Sequence, residues 1–202
     1  MLHLLDILAS GVHDTKNQLF IAESMITAAE ERTQSDLSEI RYAIETAAAR
    51  LSQTLSTYHL LRHGSQLAIV PVILSDLCEE IGLAQTHHLA QHDIQLDIDC
   101  RIDEAWPMDR DLVTDALNNA VQNAARHARQ RIRLTAFPTE VGICLRVEDD
   151  GPGFALIPPA LGTGLALADR LAGMHSRQNR HGRLHLANGS ELGGAIFELH
   201  LP

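Results

Sequence analysis

Two long stretches at the start of the chain repeat apolar residues at alternating steps of three and four. Leu5, Leu8, Val12, Thr15, Leu19, Ala22, Ile26 and Ala29 form the first series. Leu37, Ile40, Ile44, Ala47, Leu51, Thr54, Tyr58 and Leu61 form the second. This is the seam spacing of helices packed in a bundle. Residues 1–63 contain no proline, and Gly11 is their only glycine, so little interrupts either helix. The polar run from Glu30 to Asp36 separates them. Ser35 or Asp36 can N-cap the second helix, and Glu39 in its first turn favours the dipole. The pattern predicts a helical hairpin with a short connection. One hairpin cannot bury two apolar stripes by itself, whereas two form a four-helix bundle. A homodimer through residues 1–63 is therefore expected.

After Gly64-Ser65 the pattern becomes mixed. Val70 to Leu89 reads as a helix, with Pro71 at an acceptable first-turn position. Ile94 to Asp99 alternates apolar and polar, the period of a strand. Asp109 to Ala128 reads as a second helix, and Arg131 to Phe137 and Gly142 to Val147 as strands. Leu165 to Met174 is a third helix, and Arg183 to Ala187 and Ala195 to Leu201 are closing strands. Helices and a mostly antiparallel sheet in this order suggest a two-layer α/β sandwich. The expected fold class is α+β, with a hairpin over residues 1–64 and a sandwich over 65–202.

Composition narrows the picture. Hydrophobic residues make up 45% and charged residues 21% of the 202 positions, which suits a folded chain rather than a disordered one. Aromatic residues are only 3%, so the core must come from Leu, Ile, Val and Ala. No apolar run reaches the ~18 residues of a membrane span, and no export signal opens the chain. A cytoplasmic protein with no membrane contact is expected. The net charge of −10 argues against nucleic acid as a partner. Cys78, Cys100 and Cys144 lack metal spacing and read as buried or semi-buried reduced thiols. His87, His88 and His92 do not share one helical face and read as surface residues, not metal ligands. The group His175, His181 and His185 is likewise not read as a metal site.

Three local patterns carry chemistry. Asn119 and Asn123 lie four residues apart on one face of a predicted helix, with His127 one turn further on. Glu148-Asp149-Asp150-Gly151-Pro152-Gly153-Phe154 directly follows a strand. Leu161-Gly162-Thr163-Gly164-Leu165 opens a helix. A glycine-rich turn into a helix N-terminus offers free N–H groups and a positive dipole end to phosphates. An Asp just after a strand can accept a hydrogen bond from a purine amino group. An Asn oxygen is a hard ligand suited to Mg²⁺. Each signal alone has an ordinary explanation as a tight turn or a solvated helix face. Their order along the chain is far more specific.

In that order they resemble the catalytic ATP-binding domain of bacterial histidine kinases. Leu117 to Ala128 resembles the family's N box, Asp149 to Gly153 its G1 box and Gly162 to Leu167 its G2 box. Gly182 to Leu186, and Gly193 to Leu199 before the final Leu-Pro, resemble its closing hairpin. The resemblance implies a Bergerat-type ATP sandwich. It implies that Asn123 binds Mg²⁺ and Asp149 contacts adenine. Gly151, Gly153, Gly162, Gly164 and Leu165 would border the nucleotide, with Asn119, Arg126 and His127 near its phosphates. Val12 to Leu19 is similar to the family's H box. His13 beside the seam would be the phosphoacceptor, since a neutral imidazole nitrogen is a competent nucleophile near pH 7. Asp14 can orient the ring or take its proton. Asn17, one turn on, can position a water that hydrolyses a partner's acyl phosphate, and Lys16, the only lysine, can balance phosphate charge.

The chain departs from the pattern in two places. Only the eight residues Phe154 to Leu161 separate the glycine boxes, with Pro158-Pro159 where many members have a longer lid. Twelve residues precede His13, so a separate sensor protein is expected to supply the input. The sequence thus predicts a dimeric kinase core that moves the γ-phosphoryl group of ATP to His13 and on to a response-regulator aspartate. An ATP-independent histidine phosphotransferase of a phosphorelay is the first alternative, although the intact N and G boxes speak against it. A non-catalytic dimer that binds partners and uses ATP only as a ligand is the second. A serine kinase opposing a sigma factor shares the sandwich but has no reason to carry the hairpin.

Overall fold

A computed structural model describes residues 67–157, 163–189 and 191–202, together with scattered positions between 15 and 51. The chain divides into two compact units, Met1–Gly64 and Ser65–Pro202.

In the first unit the described positions from 15 to 33 and from 40 to 51 are all helical. The seam residues Leu19, Ala22, Ile26, Ala29, Ile44, Ala47 and Leu51 are half-buried. Thr15 and Ile40, expected in the same stripes, are exposed. Ile21 and Met25 remain 60% and 68% exposed beside the stripe. The Leu37 N–H donates to Glu30 Oε1 at 2.9 Å, so Glu30 satisfies one backbone donor at the start of the second series. The expected caps Ser35 and Asp36 lie outside the described residues.

The second unit runs β1 (Ile69–Ile73), α1 (Leu74–Gln91), β2 (Gln95–Cys100), β3 (Ala105–Asp109), α2 (Arg110–His127), β4 (Arg131–Thr139) and β5 (Gly142–Asp149), then α3 (Thr163–Met174), β6 (Ser176–Arg177), β7 (Arg180–His181), β8 (Arg183–Asn188) and β9 (Ala195–Leu201). Five strands form one sheet in the order β2-β4-β5-β9-β8. Only β2–β4 is parallel; the other three pairings are antiparallel. The alternation predicted from sequence decides the two faces. Ile132, Leu134, Leu145, Val147, Phe197 and Leu199 are buried and join one core with Leu77 and Ile81 of α1 and Leu117 and Val121 of α2. Each such large side chain contributes about 1.5–3 kcal/mol by leaving water. Arg133, Cys144, Arg146, Glu148, Glu198 and His200 fall at the intervening positions and form the opposite face. This is a mixed sheet with helices, the expected sandwich.

Two expectations need correction. Ile69-Val70-Pro71-Val72-Ile73 is not the start of a helix but strand β1, antiparallel to β3, with Pro71 opposite Pro107. Each strand of a two-stranded ribbon has a free edge, where proline's missing donor costs no ladder bond. The helix starts at Leu74. The sequence reading also omits β3 and the small β6–β7 hairpin, whose tip holds Gln178 and Asn179 at φ of 52° and 60°.

The ribbon carries Trp106, the only tryptophan. The Arg177 guanidinium lies 5.8 Å from its ring centroid. Its Nε1 is the one buried side-chain polar atom without a hydrogen-bond partner among the described residues.

Asp109 joins several of these elements. It is the N-cap of α2, with Oδ1 accepting from the Leu112 N–H at 3.2 Å. Its Oδ2 accepts from the Ala68 N–H at 2.9 Å. Its own N–H donates to Nε2 of the buried His175 at 3.1 Å. His175 Nδ1 lies 2.9 Å from the Leu171 carbonyl oxygen, so the ring is neutral with its proton on Nδ1. Burial pushes the His175 pKa down, against the opposing pulls of the Leu171 carbonyl and Asp109.

All three cysteines are free; Cys78 and Cys144 are buried and Cys100 half-buried. Burial, joined by the neighbouring Cys100, pushes the Cys78 thiol up to about 12. Both observations agree with the reduced thiols expected.

Candidate functional site

The end of β5 turns sharply at Asp149, and backbone packs tightly around it. Asp149 is 4% exposed. Its Oδ1 accepts from the Gly151 N–H at 2.8 Å and the Ala195 N–H at 3.2 Å. Its carbonyl accepts from the Gly194 N–H at 3.0 Å. A Cβ on Gly194 would overlap Asp149 Oδ1 and the Asp149 carbonyl oxygen. A Cβ on Gly151 would overlap the His127 carbonyl oxygen. Glycine at both positions lets the β5 turn, the start of β9 and the C-terminal end of α2 meet at backbone distance.

With Oδ1 bound twice, the carboxylate is fixed in orientation. Oδ2 makes no hydrogen bond among the described residues and keeps some contact with solvent. A buried carboxylate with one oxygen fixed and one open can accept a ligand's N–H without reorganising.

The neighbouring Asp150 does different work. Its carboxylate accepts from the Arg129 N–H at 2.7 Å and the Gln130 N–H at 3.1 Å. Burial pulls its pKa up, but the backbone donors of Gln130, Arg131 and Arg129 outweigh that and hold it below the usual range. Asp150 thus closes the α2–β4 connection beside the site. Gly153 follows, and the Asn188 side chain at the end of β8 clasps the next residue. The Phe154 N–H donates to Asn188 Oδ1 at 2.7 Å, and Asn188 Nδ2 donates to the Phe154 carbonyl at 2.8 Å.

Helix α2 buries Leu117, Ala120, Val121, Ala124 and Ala125 against the sheet. That leaves Asn119 half-buried and Asn123, Arg126 and His127 exposed. None of these four side chains has a hydrogen-bond or ion-pair partner among the described residues. Leu165, in the first turn of α3, packs partly buried against the core, and Gly164 precedes it in the same turn. His13, Asp14, Asn17 and Gly162 lie outside the described residues.

The structure therefore brings Asp149, Gly151 and Gly153 together with the end of α2. It adds two residues the sequence reading did not single out for the site. Gly194 was read only as part of a closing hairpin; the Gly193-Gly194 pair before β9 was its signal. Asn188 had no local signal, because its partner Phe154 is far away in sequence.

Comparison with known proteins agrees with this geometry. Residues 108–202 match the family described as histidine kinase-, DNA gyrase B- and HSP90-like ATPases. The sensor protein kinase CarS of Pseudomonas aeruginosa is 27% identical over 94% of this chain, which spans 44% of that protein's length. The ATP-binding domain of PrrB from Mycobacterium tuberculosis is 25% identical, with a TM-score of 0.57 over 67% of this chain and 97% of that one. The Acinetobacter baumannii histidine kinase AdeS shares the fold at a TM-score of 0.64 and 19% identity, over 87% of this chain and 93% of that one. Residues 108–202 thus match the histidine kinase-, DNA gyrase B- and HSP90-like ATPase family, and together these similarities support a histidine-kinase-type ATP-binding core.

Proposed function

We propose that the chain is a homodimeric, cytoplasmic histidine kinase core. It binds ATP at the Asp149 end of its second unit, phosphorylates His13, and passes the phosphoryl group to an aspartate of a response-regulator receiver domain. The observation that carries the reading is Asp149: a buried carboxylate with Oδ1 held by two backbone donors and Oδ2 open. That is an acceptor shaped for the amino edge of adenine. The unpaired side chains of Asn119, Asn123, Arg126 and His127 on the adjoining helix support a phosphate end, since unpartnered donors on a folded surface are available to anionic oxygens.

The chain's own residues divide the work. Gly151 and Gly194 let the backbone close around Asp149 and so set the acceptor for the base, and Gly164 in the first turn of α3 leaves a helix N-terminus open to phosphate. Asn123 fits Mg²⁺ through its amide oxygen, a hard donor with no competing protein partner among the described residues. When bound, the ion neutralises charge developing on the phosphate oxygens. An imidazole nitrogen of His13 attacks the γ-phosphorus as the bond to the ADP oxygen breaks. Asp14 holds the ring and takes its other proton. Asn17 positions the water that later clears the regulator's acyl phosphate. The half-buried stripes of the first unit, with Ile21 and Met25 exposed beside them, support dimerisation through residues 1–63.

The test is incubation with labelled ATP and Mg²⁺ beside His13→Ala and Asn123→Ala. Acid-labile, base-stable label on the wild type and on neither variant is expected. Nucleotide binding without label would favour the non-catalytic, ATP-liganded dimer. A reactive His13 with no nucleotide affinity would favour the phosphorelay transferase. Either result overturns the proposal.

A further inference from the structure

The face of the sheet turned away from the helices carries a second cluster. Cys144 on β5 and His200 on β9 are direct cross-strand partners. Glu198, two residues before His200, pairs with Arg146 on one side and His185 of β8 on the other. Ligand atoms of Cys144, Glu198 and His200 all lie within 4.8 Å of one another. His185 Nδ1 is 2.8 Å from Glu198 Oε2, and His200 Nε2 is 3.3 Å from the same oxygen. Arg146 places both its contacts, at 2.8 Å and 2.6 Å, on the other oxygen, Oε1. Its guanidinium is in turn held 4.9 Å from the Phe137 ring centroid.

We infer that Cys144, Glu198 and His200 form a binding site for Zn²⁺ or a transition ion of similar chemistry, independent of the nucleotide end. Three features carry this. The donor set is one sulfur, one imidazole nitrogen and one carboxylate oxygen, the mixture that zinc-type ions accept and that Mg²⁺ or Ca²⁺ does not. The donors sit on two adjacent strands of a rigid sheet rather than on loops, so their separation is fixed by ladder geometry. The carboxylate is oriented by Arg146 through Oε1, which leaves Oε2 turned to the imidazoles, as an outer-shell partner orients a metal ligand. Glu198 is 12% exposed in its side chain, whereas His185 at the rim is 56% exposed. The Glu198 Oε2 side of the cluster thus faces the exposed rim at His185, from which an ion would approach. Binding breaks the Cys144 S–H bond, forms a sulfur–metal bond and releases the proton to solvent, so affinity rises with pH.

Co²⁺ is the probe, because a thiolate ligand gives it a charge-transfer band that nitrogen and oxygen ligands do not. Titration of the metal-free full chain is expected to give one equivalent of thiolate-bound Co²⁺, displaced by Zn²⁺ and unaffected by excess Mg²⁺–ATP. Cys144→Ser and His200→Gln each abolish the band, while Cys78→Ser and Cys100→Ser keep it. Circular dichroism confirms the fold of each variant, and His200→Gln, on a more accessible side chain than Cys144, keeps the test open if Cys144→Ser misfolds. Absence of the band in the wild type, its survival in Cys144→Ser or His200→Gln, or its loss in the Cys78 or Cys100 variant would overturn the assignment.

Discussion

The Asp149 end of the sheet and its outer face treat polar groups in opposite ways. At the outer face several charges are paired within the protein. Arg133 reaches Glu148 at 3.2 Å and Glu191 at 3.0 Å, Arg131 reaches Asp97 at 3.0 Å, and Arg146 holds Glu198. At the Asp149 end the side chains of Asn119, Asn123, Arg126 and His127 have no partner among the described residues, and one oxygen of a buried carboxylate stays open. Saturated pairs leave a surface with little to offer a ligand. Unsaturated groups around a fixed backbone cradle mark where a ligand completes the bonding. The Cys144 cluster is the exception on the outer face, because Glu198 spends only Oε1 on Arg146 and turns Oε2 to the imidazoles beside the Cys144 thiol.

The sharpest way to break this contrast is Gly194→Ala. Its Cβ would displace the Asp149 carboxylate, so ATP affinity is expected to vanish in calorimetry. Overpacking should also cost about 1–3 kcal/mol of stability in denaturant unfolding. ATP binding at wild-type strength would disprove the cradle. Asp149→Asn is milder, since the amide oxygen can still accept from Gly151 and Ala195. We expect ATP to bind about 10- to 100-fold more weakly, the size of a lost hydrogen bond to a charged group, with little change in Tm.

A third test uses pH. Burial keeps the folded His175 pKa below its ordinary 6.5. The unfolded chain therefore binds the proton first, and stability present above about pH 6.5 is lost as pH falls toward the folded value. Urea midpoints of the wild type should drop over that range, and those of His175→Gln should lack this increment. Parallel curves would remove His175 as the cause. The smallest effect belongs to the outer face. Asp99→Asn breaks an exposed pair with Arg101 and should leave both Tm and ATP affinity unchanged, as exposed pairs contribute little.

Much of this was legible in the sequence because it is local. The strands β4, β5 and β9 and the helix α2 are readable from consecutive residues, with the alternation clearest in β4. The glycines after Asp149 are readable for the same reason: a tight turn is written in consecutive residues. β1 escaped because Ile69-Val70-Pro71-Val72-Ile73 is an unbroken apolar run that continues into α1, and short apolar runs do not distinguish strand from helix. The parallel pairing of β2 with β4 has no local trace. Asn188 clasping Phe154, and Glu198 gathering His185 and His200 beside Cys144, depend on strand register, which only the folded sheet supplies.

The position of Trp106 has a spectroscopic consequence. The only indole of the chain sits on the β1–β3 ribbon, with the Arg177 guanidinium over its ring. Its emission reports on that ribbon, whereas far-ultraviolet dichroism is dominated by the helices. Unfolding followed by both signals compares two regions of one domain without any engineered label. Coincident midpoints would show that ribbon and helices melt as one cooperative body. An earlier fluorescence transition would show that the ribbon opens first.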